Sequence, residues 1–197
     1  MPMPRRPRSL VDLGFYHVLT RGNDRKKIFK SPEDYCQFLR ILKRYLKKYK
    51  IRIMHYCLMP NHIHLPIQTI KGADLPKFMQ EVLQVYAHHY RKEYGSVGFV
   101  FQNRYKSFHI DKESYLLECA RYIERNPVRA KLVSKILEYP WSSLNYYVKG
   151  NNDGIIIKEN PFYVSMASTD SERRQRFYEL VLEDRPYDQV VDDYFRI

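Results

Sequence analysis

The chain has 197 residues, and 34 Lys and Arg against 22 Asp and Glu give a formal net charge of +12. Hydrophobic residues at 44% and aromatic residues at 15%, with 18 Tyr, supply a real core and exclude a disordered polybasic chain. No run approaches the ~18 consecutive apolar residues of a membrane span. MPMPRRPRSL is basic, but the VDLGFYHVL after it is too short and interrupted for a signal peptide, so no membrane partner and a cytoplasmic location are expected. Cys36, Cys57 and Cys119 are odd in number and widely spaced, which reads as reduced thiols rather than a disulfide frame. Positive charge together with many rings fits phosphate neutralisation and base stacking, and so a nucleic-acid partner.

Residues 1–9 carry three Pro and three Arg and read as a flexible basic arm. Leu13 to Arg21 is a β-branched and aromatic strand, ended by Gly22-Asn23-Asp24. Ser31-Pro32-Glu33-Asp34 is a helix start, and apolar residues at 35, 38, 39, 42, 45, 46 and 49 form its buried stripe. The opposite face holds Arg40, Lys43, Arg44, Lys47 and Lys48, a solvated face or a DNA-facing one. Ile51 to Leu58 and His62 to Gln68 form a hairpin about Met59-Pro60-Asn61, with Pro66 requiring an edge or a bulge. A second helix spans about Asp74 to Tyr94, and an extended segment runs from Phe99 to Ile110. A third helix covers about Lys112 to Arg125, stopped by Asn126-Pro127, and a last one falls near 171–184. The order predicts an α+β fold, a mostly antiparallel sheet with helices packed on it.

His62-Ile63-His64 is the sharpest chemical feature. On a strand, the two imidazoles share one face while Ile63, Leu65 and Ile67 enter the core. Such a pair can converge on one divalent ion, or can simply face solvent. Tyr122 and Asn126 share a helix face four residues apart, so an amide oxygen and a phenol could join the same site. Alternatively, Tyr122 packs on the sheet and Asn126 caps the helix before Pro127. Tyr115, seven residues upstream, is a rival nucleophile on spacing alone.

HYCLMPNHIHLPIQ (55–68) resembles the signature of the single-tyrosine HUH transposases, specifically the REP-associated tyrosine transposase branch. FYHVLTRGNDRKKIF (15–29), GFVFQNRYKSFHI (98–110), SYLLECARYIERNPVRAKLV (114–133) and YPWSSL (139–144) are similar to the same family in the same order. The resemblance implies a ferredoxin-like HUH nuclease domain over 10–147; residues 148–197 read from composition as a loop and an acidic helical tail, where the chain departs from the family. It also implies a transposase acting on hairpin and single-stranded DNA through a 5′-phosphotyrosine, as a monomer or homodimer. The nucleophile falls on Tyr122 rather than Tyr115. The metal ligands fall on His62, His64 and Asn126, for Mg²⁺ or Mn²⁺. A non-catalytic hairpin binder on the same fold is the alternative.

Arg21, Asn23, Arg25, Lys26, Lys27, Arg104 and Lys106 are the expected DNA contacts, with Arg5, Arg6 and Arg8 as further candidates. Tyr16, Phe101 and Tyr105 are candidate stacking rings or core residues. Trp141-Ser142-Ser143 reads as an anchor for the C-terminal segment. The acidic tail (Glu183, Asp184, Asp188, Asp192, Asp193) covers the basic site, docks on the body, or is solvated.

Overall fold

Alternation along the strands divides the molecule into layers. A computed structural model describes residues 10–111 and 113–185; the basic arm at 1–9 and Asp188, Asp192 and Asp193 lie outside them. Strand β1 (Phe15–Arg21) is followed by α1 (Pro32–Leu46), β2 (Ile51–Ile53), β3 (Cys57–Met59), β4 (His62–Thr69), α2 (Asp74–Tyr94), β5 (Lys106–Ile110) and α3 (Glu113–Arg129). The shorter α4 (Leu144–Lys149) and α5 (Pro161–Val164) and the longer α6 (Asp170–Leu182) complete the chain. All pairings are antiparallel, in the order β2-β4-β1-β5, with β3 continuing along the edge of β4 that β2 occupies. The expected α+β fold is therefore present, in ferredoxin-like order, with β2 and β3 sharing one strand position.

One face of the sheet carries Val18, Ile63, Leu65 and Ile67. It buries them against Phe38, Ile41 and Leu42 of α1 and Leu75, Phe78, Met79 and Val82 of α2. The other face carries Leu19, His62, His64 and Cys57, which the register places side by side, and α3 covers it. Outside α3 lie α5 and α6, whose Tyr163, Phe177 and Val181 belong to the main core. The tyrosine helix is thus enclosed on both sides, and even Arg121 and Glu124 are buried.

Three departures from the expected elements have physical causes. The run Ile51 to Leu58 breaks at Met54-His55-Tyr56, because it lies opposite Pro66, which has no N–H to offer. Met54 and His55 both donate to the Pro66 carbonyl, at 2.9 and 3.3 Å. A strand residue presents its N–H and C=O on the same side, so the proline's missing donor faces the break. Pro66 therefore sits in a central strand beside a bulge, not at an edge.

The extended segment from Phe99 regularises only at Lys106. Phe101 pairs with Gly22 as an isolated bridge and Gln102 N–H donates to Arg21 C=O at 3.0 Å, leaving Asn103, Arg104 and Tyr105 to loop out. Helix α3 does not stop at Arg125. It runs through Pro127 to Arg129, and Ala130 N–H donates to Asn126 C=O at 2.8 Å. An interior proline costs about 3 kcal/mol, a cost met here by burial on both sides. Asn126 is consequently an internal helix residue rather than a cap. No helix of the described residues is long and apolar enough to cross a membrane.

Candidate active site

The histidine pair is placed by a two-residue turn. Met59 pairs with His62 across Pro60-Asn61, and the turn is held from outside. The Pro60 carbonyl accepts from Ile28 and Phe29 N–H at 2.8 and 3.0 Å, and the Asn61 carbonyl accepts from Gly22 N–H at 2.8 Å. Gly22 is required at that approach, since a Cβ there would stand 2.3 Å from the Lys26 carbonyl oxygen. The Asn61 side chain completes the tie. Its amide donates to Arg25 C=O at 3.1 Å, and its oxygen accepts from His62 Nδ1 at 2.7 Å. His62 therefore carries a proton on Nδ1, so that in the neutral ring Nε2 is the nitrogen able to ligate.

His64 is held at both ring nitrogens. Its Nδ1 lies 2.9 Å from His17 Nε2 and its Nε2 lies 3.2 Å from Asn126 Nδ2. With the Asn126 amide donating, the ring's only proton is on Nδ1, and Nε2 again carries a lone pair. The His62 and His64 rings are 4.8 Å apart, centroid to centroid, and Tyr122 stands edge-on to His64 at 6.2 Å. His64 is 0% exposed and His62 8%, so neither is a solvent-facing strand histidine. Burial, then the neighbouring His62, His17 and Arg21 charges, hold the His64 imidazole well below its usual pKa. Burial and then His62 lower His17 to about 3. Both stay neutral at physiological pH, the form that ligates a metal.

The donor set fits a divalent ion. The His62 and His64 imidazoles share one face of β4, and Asn126 lies at hydrogen-bond distance from His64 Nε2, with an amide whose half-turn exchanges N–H for oxygen. No group of three or more His, Cys, Asp or Glu suited to a metal occurs among the described residues; the Asn126 amide beside His64 could serve as a third donor to the two imidazoles.

Tyr122 and Tyr115 are separated by burial. Tyr122 is enclosed with Cys57, Met59, Cys119, Ile123 and Tyr139, and the Arg129 guanidinium lies over its ring at 5.2 Å. Tyr115 is 53% exposed. Tyr122 is only 1% exposed, so its ring is closed to solvent in this arrangement.

The expected DNA contacts divide. Arg21 pairs across strands with His62, and Lys106 with Leu19 one step from His64, so both lie on the histidine face. Arg21, Gln102, Asn103, Arg104 and Lys106 line one small cavity, where burial and then Arg25 lower the Arg21 pKa. Asn23 and Arg25 occupy the tight turn after β1, and Lys27 is exposed beside them. Lys26 instead leans over Tyr90 of α2, 5.9 Å from the ring centre. Tyr16 and Tyr105 are core rings, and Phe101 is half-buried against Tyr86, so none is free to stack on a base. Phe99, by contrast, is an exposed ring, 81% accessible, two residues before the bridge to Gly22.

Sequence reasoning missed His17, Asn61 and Phe99. His17 could have been found from strand alternation, since it is four residues before Arg21 on the same β1 face; the other two needed the loops.

Residues 11–126 match the profile of the IS200-like transposases. Among solved structures, a REP-associated tyrosine transposase bound to a REP hairpin is similar over 80% of this chain and 93% of that chain, at 19% identity and a TM-score of 0.63. A Deinococcus radiodurans protein described as a candidate transposase aligns over 62% of this chain and 97% of that one, at 16% identity and a TM-score of 0.43. No curated protein matches in sequence. More than half of the chain fits the family profile, on the fold its elements build, and the chain belongs to the IS200-like transposase family.

Proposed function

We propose that the chain is a single-stranded DNA endonuclease and strand transferase that works beside DNA hairpins, as a REP-associated tyrosine transposase. The observation that carries this reading is the meeting of His62 and His64 from β4 with Asn126 and Tyr122 from α3, the His64 ring lying 3.2 Å from the Asn126 amide and 6.2 Å from the Tyr122 ring centre. Mg²⁺ or Mn²⁺ held by His62, His64 and Asn126 would supply Lewis-acid polarisation of the scissile phosphate.

The chain's own residues account for the remaining steps. Arg21, Arg104 and Lys106 draw the DNA backbone to the histidine face. The Tyr122 phenol loses its proton and its oxygen bonds to phosphorus, breaking the P–O3′ bond. The departing 3′-oxygen takes up a proton, and the 5′ end remains as phosphotyrosine. Attack by a 3′-hydroxyl reverses the sequence, freeing Tyr122 and rejoining a strand, so bond energy is conserved without a nucleotide.

The test is a denaturation-resistant adduct between the protein and labelled hairpin DNA carrying a single-stranded flank, in Mn²⁺. Wild type forms it and Tyr122→Phe does not. An adduct that persists in Tyr122→Phe moves the nucleophile elsewhere, to Tyr115 first. Tight hairpin binding with no adduct in either protein leaves a non-catalytic DNA binder.

A further inference from the structure

The metal reading above assigns roles to two histidines of β4, but a third buried histidine of this face is on β1. His17 is 1% exposed, and its ring stacks on His64 with centroids 5.1 Å apart and an interplanar angle of 21°. Its Nε2 is 2.9 Å from His64 Nδ1. The contact is built by register: Leu19 pairs with His64 and His17 with Pro66, so His17 is a diagonal neighbour of His64 on one face. On the other side of β1, Phe108 of β5 pairs with His17 and closes the wall, with ring centroids at 6.4 Å.

We propose that His17 is the positioning residue of the metal site: by accepting the His64 Nδ1 proton it fixes the tautomer and plane of that ring, so that Nε2 presents its lone pair toward Asn126. A neutral imidazole carries one proton, and whichever nitrogen holds it cannot ligate. Without a fixed acceptor at Nδ1 the proton can move to Nε2, and the ring then turns a donor toward the position where a ligand is needed. Outer hydrogen bonds of this kind raise ligand basicity, and losing one costs about 10–100-fold in metal affinity or activity. His17 stands one ring away from Asn126 and Tyr122 and is not a catalytic residue.

The inference rests on the metal reading, and Mn²⁺ binding to the full chain separates the two. Titrate Mn²⁺ into wild type, His17→Leu and His17→Gln, following free Mn²⁺ by its EPR signal, and assign the His64 tautomer in each by ¹⁵N NMR without metal. Wild-type His64 should carry its proton on Nδ1. His17→Leu should weaken Mn²⁺ binding by about 10–100-fold and release the proton to Nε2, while hairpin affinity in EDTA stays unchanged. His17→Gln, which keeps an acceptor oxygen, should recover most of the loss. A wild-type chain that binds no Mn²⁺ overturns the metal reading and this one with it. Wild-type binding with an equal affinity in a folded His17→Leu overturns this one alone. So does a wild-type His64 protonated at Nε2, a result that needs no variant to fold.

Discussion

Two buried histidine networks meet the same helix, and they are built to opposite ends. At the His62–His64 end, His62 Nδ1 is fixed by Asn61, and His64 is held by His17 at Nδ1 and by the Asn126 amide of α3 at Nε2. At the bulge between β2 and β3, His55 is engaged at both nitrogens. Its Nδ1 faces Glu124 Oε1 at 3.3 Å and its Nε2 lies 3.1 Å from Asn160 Nδ2. Ser143 also donates to Glu124, and Tyr147 stacks on the His55 ring at 4.2 Å. The first network brings two imidazoles to 4.8 Å of each other beside the Tyr122 ring; the second holds a single imidazole and ties α3 to the C-terminal segment. Burial and a polar neighbour at each nitrogen are common to His64 and His55 and therefore do not identify a site; a second imidazole beside the first does.

The largest expected effect separates the networks by what each variant loses. His64→Ala should lower cleavage by at least about 10³-fold, since metal polarisation supplies several kcal/mol, while hairpin binding in EDTA by the folded protein persists, although truncating this buried, hydrogen-bonded ring also lowers Tm. Cleavage assays on the folded protein beside a thermal melt check it, and a cleavage loss no greater than that of folded Glu124→Ala would erase the distinction. Glu124→Ala should instead cost about 3 kcal/mol of stability, because His55 and Ser143 both lose a buried acceptor. Its chemical denaturation midpoint should fall while Mn²⁺ affinity of the folded protein persists.

Acid sharpens the same comparison. Burial holds the His55 pKa below its usual 6.5, outweighing the Glu124 carboxylate. Below pH 6.5 the unfolded chain takes up a proton that folded His55 refuses, so stability falls as pH drops, by up to about 1.4 kcal/mol per pH unit for each such histidine. His17 adds the same sign from pH 6.5 down to about 3. His55→Gln should flatten part of that slope in urea unfolding across pH 4–7, a series measured in steps of about one pH unit. The smallest effect lies on the DNA side. Arg104→Gln or Lys106→Gln should each reduce the log–log salt slope of single-strand binding by about 0.7, whereas Lys26→Gln, whose cation lies over Tyr90, should change it less.

The tyrosine surplus has a structural answer apart from Tyr122. Where loops and strand breaks leave carbonyls without a ladder, buried phenols supply the donor. Tyr86 donates to Ile28 C=O at 2.5 Å and Tyr90 to Lys27 C=O at 3.1 Å, pinning the loop after β1 to α2. Tyr147 donates to Met54 C=O at 2.5 Å in the bulge, and Tyr139 to Leu58 C=O at 2.6 Å. A phenylalanine would fill the same space and leave each carbonyl unsatisfied. The acidic tail is also partly explained: Arg125 donates to Val181 C=O and Leu182 C=O at 3.0 and 2.7 Å and pairs with Asp184, while Arg121 donates to Glu183 C=O at 3.0 Å. Its described part docks on the tyrosine helix.

Local pattern was enough for the strands and helices whose periodicity faces one core. The stripes of α1 and α2, the alternation through Ile63, Leu65 and Ile67, and the pairing of His62 with His64 on one face follow from spacing in the chain alone. Composition alone implied a nucleic-acid partner, and the short stretches around MPNHIH and RYIERNPVRA carried the family. Tertiary structure decided what no local window contains. It set the break opposite Pro66, because a missing N–H matters only once a neighbour strand is present. It carried α3 through Pro127, because burial on both sides outweighs one lost hydrogen bond. And it placed His17 against His64, because sheet register brings together residues 47 positions apart and so determines which ring nitrogen keeps its proton.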